Sequence, residues 1–201
     1  MGVFAPLRKH ANMPGMHSLK LGILFSAEGT NMQNLVEKLH RQVYNHQGTL
    51  TRLEFALCAT NNPRAGGIKR CEKLNMPFIV GTEDDFIPAF RGCALILCAG
   101  YNKILSPKFL AHFKALNIHP SFLPKHKGAN ALERSFKSQS ALGVSVHWVN
   151  EKLDGGKIIL QENLSLKPQE SLASYTQRVH ALEYALYPQA VLKALKLCAH
   201  A

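Results

Sequence analysis

The chain has 201 residues, 46% of them apolar and 18% charged, with a formal net charge of +11. That length and mix can bury a sizeable core and exclude fibrous and disordered classes. No apolar run approaches the roughly 20 residues needed to cross a bilayer, so no membrane partner is expected. The lysines and arginines are scattered, without a basic stripe interleaved with aromatics. The charge therefore predicts a solvated basic surface that attracts small anions, with no nucleic-acid partner.

Residues 1–19 carry Arg8, Lys9, His10, Pro14 and Gly15 and lack the continuous apolar stretch of a secretory signal. They read as a disordered extension before a single cytoplasmic domain spanning 20–201, with Met13 or Met16 as alternative starts. Cys58, Cys71, Cys93, Cys98 and Cys198 form an odd set without Cys-x-x-Cys spacing, which predicts free thiols. No compact zinc spacing is present, and no metal is predicted.

Apolar runs at 21–26, 53–59, 77–80 and 94–99 read as buried parallel strands. Between them, Met32, Leu35, Val36 and Leu39 share one helix face, and Ile68, Cys71 and Leu74 share another. This alternation predicts an α/β fold: one doubly wound, mostly parallel, Rossmann-like sheet with helices on both faces. Further on come a strand at 115–118, a long loop through Gly128, and strands at 143–150 and 157–163 paired across a turn at Asp154, Gly155 and Gly156. From Ser171, the spacing of Leu172, Tyr175, Val179, Leu182 and Leu186 predicts an amphipathic C-terminal helix.

Three motifs bear chemistry. Ser26-Ala27-Glu28-Gly29-Thr30-Asn31 joins the first strand to the first helix, where free N–H groups and the helix dipole favour an anion such as phosphate. An ordinary capped helix start, with Thr30 or Asn31 as cap, explains it equally well. Asn117-Ile118-His119-Pro120-Ser121 ends a predicted parallel strand, where open sheets place their ligand crevice. Residues two apart in a strand share a face, so Asn117 and His119 converge. An amide N–H there suits an oxyanion and a neutral imidazole suits an amine proton. A satisfied core histidine is the plainer alternative. Leu153-Asp154-Gly155-Gly156 sets a carboxylate on a turn, either as a turn former or within reach of His119 to support its imidazolium.

All three occur in order, joined by Cys98-Ala99-Gly100-Tyr101-Asn102-Lys103-Ile104-Leu105-Ser106 and Ser121-Phe122-Leu123-Pro124-Lys125. In this combination the chain resembles the folate-dependent formyltransferases over nearly all of 21–197, and most of all the branch that formylates glycinamide ribonucleotide. The resemblance implies direct transfer of a formyl group from 10-formyltetrahydrofolate to the amine of glycinamide ribonucleotide, through a tetrahedral intermediate, by a monomer or homodimer. It implies a catalytic set of Asn117, His119 and Asp154, with a bound water assisting proton movement. It further implies that Gly29, Thr30 and Asn31 hold phosphate and that Glu183 binds ribose hydroxyls. The folate would lie along Tyr101, Asn102, Lys103, Ile104 and Leu105 and along the backbone from Val149 to Asp154, with Asn150 among its contacts. Glu183 and Leu105 are also explicable without a ligand, as a solvated charge and as core.

Departures from the family pattern are a short 82–93 segment, Lys103 in place of an arginine, and Val144 in place of a threonine, which removes a polar contact near His147. Methionyl-tRNA formyltransferases share Asn-x-His-Pro-Ser but add a tRNA-binding domain not expected in 201 residues. Formyltetrahydrofolate hydrolases add a regulatory domain, and a non-catalytic binding module would not need Asn117, His119 and Asp154 together.

Overall fold

The computed structural model describes residues 16–198. Its strands are β1 (His17–Phe25), β2 (Val43–His46), β3 (Thr49–Thr60), β4 (Phe78–Val80), β5 (Leu95–Cys98), β6 (Ala115–His119), β7 (Gly143–Trp148) and β8 (Ile158–Asn163). The helices are α1 (Thr30–Leu39), α2 (Gly67–Lys73), α3 (Glu83–Ala89), α4 (Pro107–His112), α5 (Ala131–Ser138) and α6 (Leu172–Ala194).

The strands form one eight-stranded sheet in the order β2-β3-β1-β5-β6-β7-β8, with β4 also on β3. The pairs β1–β3, β1–β5, β3–β4 and β5–β6 are parallel, while β2–β3, β6–β7 and β7–β8 are antiparallel. The predicted doubly wound, mostly parallel α/β sheet is therefore present, with antiparallel margins.

Both faces are covered, so the inner strands lack polar alternation. On β1, Leu21, Ile23 and Phe25 join the core under α1, α2 and α6, while Leu24 joins Phe86 of α3, Phe90 and Phe109 of α4 on the other side. Gly22 is required there, since a Cβ would lie 2.5 Å from the Phe90 ring. Helix α6 is fastened to the sheet by Tyr187, whose hydroxyl shares its proton between Cys98 O (3.1 Å) and Leu116 O (3.0 Å).

Four sequence expectations are revised. His17–Leu19, assigned to the extension, belong to β1, because they pair with Thr51–Leu53 and Leu19 packs on the core; residues 1–15 lie outside the described residues. The short 82–93 segment contains α3, which starts at a capping box between Thr82 and Asp85. The long loop through Gly128 runs into α5, and α4 precedes β6 behind a Ser106 cap and Pro107. Val144 is wholly buried in the core under α6, on the opposite side of β7 from Ser145 and His147, so it removes no contact near His147.

Candidate active site

The carboxyl ends of β5 and β6 and the turn after β7 enclose a cavity of about 320 Å³, lined among others by Tyr101, Leu105, Asn117, His119, His147 and Asp154. Asn117 and His119 stand on the same face of β6, and pairing with antiparallel β7 sets His147 directly opposite Asn117. The turn following β7 folds Asp154 over them in a left-handed conformation, φ 44°, which Asp tolerates better than most residues.

The polar contacts form one buried cluster. Asp154 Oδ2 lies 3.4 Å from His119 Nδ1, and Oδ1 lies 3.4 Å from His147 Nε2. The Gly128 N–H donates to Oδ2 at 2.7 Å. Asn117 Nδ2 is 3.3 Å from His147 Nε2 and 3.5 Å from Asp154 Oδ1.

The main chain determines the histidine tautomers. A carbonyl only accepts, so His119 Nε2–H donates to His126 O (2.9 Å) and His147 Nδ1–H donates to Trp148 O (2.8 Å). In the neutral rings, His119 Nδ1 and His147 Nε2 are the accepting nitrogens, and both face Asp154. Burial lowers the His119 pKa below its ordinary value, opposed by the Asp154 charge and the His126 carbonyl. Burial alone would raise Asp154, but the Gly128 N–H, a hydrogen bond from His147 when its ring is protonated, and the imidazolium charges bring it down to about 2. A permanent anion thus faces the one open nitrogen of His119.

On the other side of β1, Gly29 (φ 69°) precedes α1 and no side chain caps the helix. The capped-start alternative fails, since Asn31 Nδ2 instead donates to Glu183 Oε2 at 3.0 Å. A Cβ on Gly29 would lie 2.7 Å from Gly67 Cα, so this turn demands glycine twice over. From α2, Arg70 Nε holds the turn through Glu28 O at 2.7 Å. The first N–H groups of α1 have no partner within the helix and point off its positive end.

Glu183 is 6% exposed, not the solvated charge considered from sequence. Burial raises its pKa to about 7 against the lowering effect of the Asn31 bond. Asn31 Oδ1 is buried with no hydrogen-bond partner among the described residues. Two acceptors short of donors therefore sit beside the turn.

A family model described as formyl transferase matches residues 19–191. The chain belongs to the formyl transferase family. It is 34% identical to phosphoribosylglycinamide formyltransferase of Haemophilus influenzae over 84% of each chain. It is also 32% identical to the trifunctional purine biosynthetic protein adenosine-3 of Chironomus tentans, over 90% of this chain but only 14% of that longer one. The solved structure of phosphoribosylglycinamide formyltransferase from Campylobacter jejuni superposes with a TM-score of 0.79 at 36% identity, covering 89% of this chain and 98% of that one.

Within this formyl transferase, Asn117, His119 and Asp154 come together as expected, as do Gly29, Thr30, Asn31 and Glu183. Tyr101, Asn102, Lys103, Ile104, Leu105 and Asn150 all line the cavity. Leu105 is 3% exposed, whereas Ile104 and Leu153 are 65% and 49% exposed on the cavity wall. His147 was not foreseen as a site residue; its alternation with Ser145 and its place opposite Asn117 are the signal that identifies it. The His126 carbonyl and the Gly128 N–H were also missed. Among the described residues, no group of three or more His, Cys, Asp or Glu is arranged to hold a metal, and no helix is long and apolar enough to cross a membrane.

Proposed function

We propose that this chain transfers the formyl group of 10-formyltetrahydrofolate to the amine of glycinamide ribonucleotide. The observation that carries the reading is that two groups stand after the carboxyl ends of parallel strands of one sheet: an uncapped helix start beside two acceptors after β1, and the Asn117–His119–Asp154 cluster at β6. The helix start suits the phosphate, and Glu183 with Asn31 Oδ1 suits two ribose hydroxyls. Exposed Ile104 and Leu153 offer apolar cover to the flat rings of the folate, and Lys103 offers a cation to its glutamate.

In this reading the amine attacks the formyl carbon and the negative charge moves onto the formyl oxygen, where Asn117 Nδ2–H donates to it. Preorganised donors of this kind stabilise a developing oxyanion without reorganisation. The amine nitrogen loses its proton to His119 Nδ1, and Asp154 stabilises the resulting imidazolium. As the bond from the formyl carbon to N10 breaks, the proton held by His119 passes to N10, leaving the formylated amide, tetrahydrofolate and a neutral histidine.

The test is tetrahydrofolate release on mixing the protein with 10-formyltetrahydrofolate and glycinamide ribonucleotide. The expected result is release that requires the ribonucleotide and falls steeply with its dephosphorylated analogue. Release without any amine acceptor would assign a hydrolase. Equal rates with and without the phosphate would remove the helix-start assignment.

A further inference from the structure

Between the two proposed substrate positions lies a closed polar triangle of Ser26, Asn61 and Asn102, of which only Asn102 belongs to a proposed substrate position. Ser26 Oγ donates to Asn61 Oδ1 at 2.5 Å, Asn61 Nδ2 donates to Asn102 Oδ1 at 3.1 Å, and the Asn102 N–H donates back to Ser26 Oγ at 3.0 Å. The corners come from the carboxyl ends of three neighbouring parallel strands, β1, β3 and β5. Ser26 opens the turn that leads to Gly29, and Asn102 lies in the wall of the folate cavity. Ser26 is further tied by its N–H to Gly100 O (3.0 Å) and by its carbonyl to Asn62 Nδ2 (2.9 Å).

Donor and acceptor counts leave one arrangement. The Ser26 hydroxyl has one proton, spent on Asn61, and accepts from Asn102. Turning the Asn61 amide round would set its oxygen against the Asn102 oxygen, so both amides are held in one sense. A movement of 101–102 is thereby transmitted to Ser26 both directly by the Asn102 N–H and through Asn61, and from Ser26 to Gly29 at the helix start three residues further on.

Ser26 is buried, but the Asn61–Asn102 bond is open to water. A ligand against Asn102 removes that water, and hydrogen bonds strengthen as the local dielectric falls. We propose that Asn61 is a positioning residue that couples the two substrate sites, so that folate on the 101–105 wall tightens phosphate binding at 29–31, and the reverse. This rests on the substrate reading given above. Coupling of this kind is reciprocal by thermodynamic necessity.

The experiment titrates glycinamide ribonucleotide and tetrahydrofolate, a pair that cannot react, each alone and each in the presence of the other. In the wild type each ligand should tighten the other by at least about fivefold, the low end of ordinary coupling. Asn61→Ala should bring both factors down together towards one, with smaller changes in the affinity of either ligand for the free protein. Asn61→Asp should restore the coupling, because a carboxylate still accepts from Ser26 and, with the Asn102 amide turned, from Asn102. Ser26→Ala also removes the direct bond from the Asn102 N–H and should lower the coupling at least as far as Asn61→Ala, so the misfolding of one variant leaves the other to decide. Undiminished coupling in a folded Asn61→Ala or Ser26→Ala variant, or a wild type that binds both ligands without coupling, overturns the proposal. A wild type that binds neither ligand overturns the substrate reading itself.

Discussion

Replacing Asp154 by Asn separates chemistry from folding. The amide keeps the size of the side chain, tolerates the φ of 44° and still accepts from the Gly128 N–H; it loses only the charge. At 3.4 Å from His119 Nδ1, a unit charge is worth about 1 kcal/mol at the dielectric of water and about 5 kcal/mol at an effective value near 20. The two side chains are only 6% and 8% exposed, which favours the upper part of that range. An imidazolium formed during proton transfer should therefore be destabilised by about 3–5 kcal/mol, a loss of about 10²–10⁴ in turnover.

The same substitution has a stability cost that can be predicted separately. Asp154 lies at about 2 in the fold against 3.8 as its ordinary value, so its ionised form adds about 2 kcal/mol, present above the ordinary value and lost as pH falls towards 2. Asp154→Asn should lower the melting temperature by several degrees and leave the protein folded at 25 °C. The His119 pKa, already lowered by burial, should fall further without the carboxylate. The acid limb of kcat/KM should thus move to lower pH while its plateau drops. Steady-state kinetics across pH with a thermal melt checks all three effects. Near-wild-type turnover in a folded variant, with the acid limb unmoved, would refute the reasoning and leave Asp154 a turn residue.

Gly29→Ala meets both a φ of 69° and Gly67 Cα at 2.7 Å. It should cost about 1–2 kcal/mol in stability from the left-handed backbone alone, and raise KM for the ribonucleotide while KM for the folate stays nearly unchanged. Lys103 is exposed, and exposed ion pairs are worth about 0.2–1 kcal/mol. Lys103→Met should therefore raise KM for the folate by no more than about fivefold, with kcat intact; a larger loss would mean that the lysine does more than meet the glutamate.

The inner strands were legible because a sheet covered on both faces writes each of them as an unbroken apolar run, as at Leu95–Cys98. From parallel strands it follows that ligands gather at their carboxyl ends, which located Asn117 and the turn at Gly29. Short elements were not legible. Helices α3 and α4 hold seven and six residues, too few turns for a periodicity, and Pro88 and Pro107 argue against a helix unless capping is recognised. Strand β2, Val43–His46, is a half-buried edge without alternation. His147 needed the β6–β7 register, which is a tertiary fact. The His126 carbonyl and the Gly128 N–H belong to every residue type alike, so no residue identity marks them.

Two buried carboxylates show opposite shifts, and the groups around each explain the difference. Asp154 receives the Gly128 N–H, faces two histidine rings at 3.4 Å and is held at about 2; Glu183 receives one amide and rises to about 7. Ionising Glu183 in the empty protein is therefore costly. With an ordinary value of 4.5, the folded protein binds the proton more tightly than the unfolded chain does, so stability falls as pH rises from about 4.5 to 7, by about 3 kcal/mol in all. Glu183→Gln should abolish that decline and leave the variant more stable than wild type at pH 8, as a melting curve at pH 5 and pH 8 would show. Ligand binding should oppose the same cost. Ribose hydroxyls donating to Glu183 favour its anion and lower its pKa, so ribonucleotide binding near pH 7 should release part of a proton from this group. The phosphate and the amine of the ligand titrate in the same range, but they do so equally with either protein. Calorimetry in buffers of different ionisation enthalpy should therefore find more protons released by wild type than by Glu183→Gln, together with weaker binding by the variant above pH 7. Identical proton release by the two proteins would detach Glu183 from the ribose.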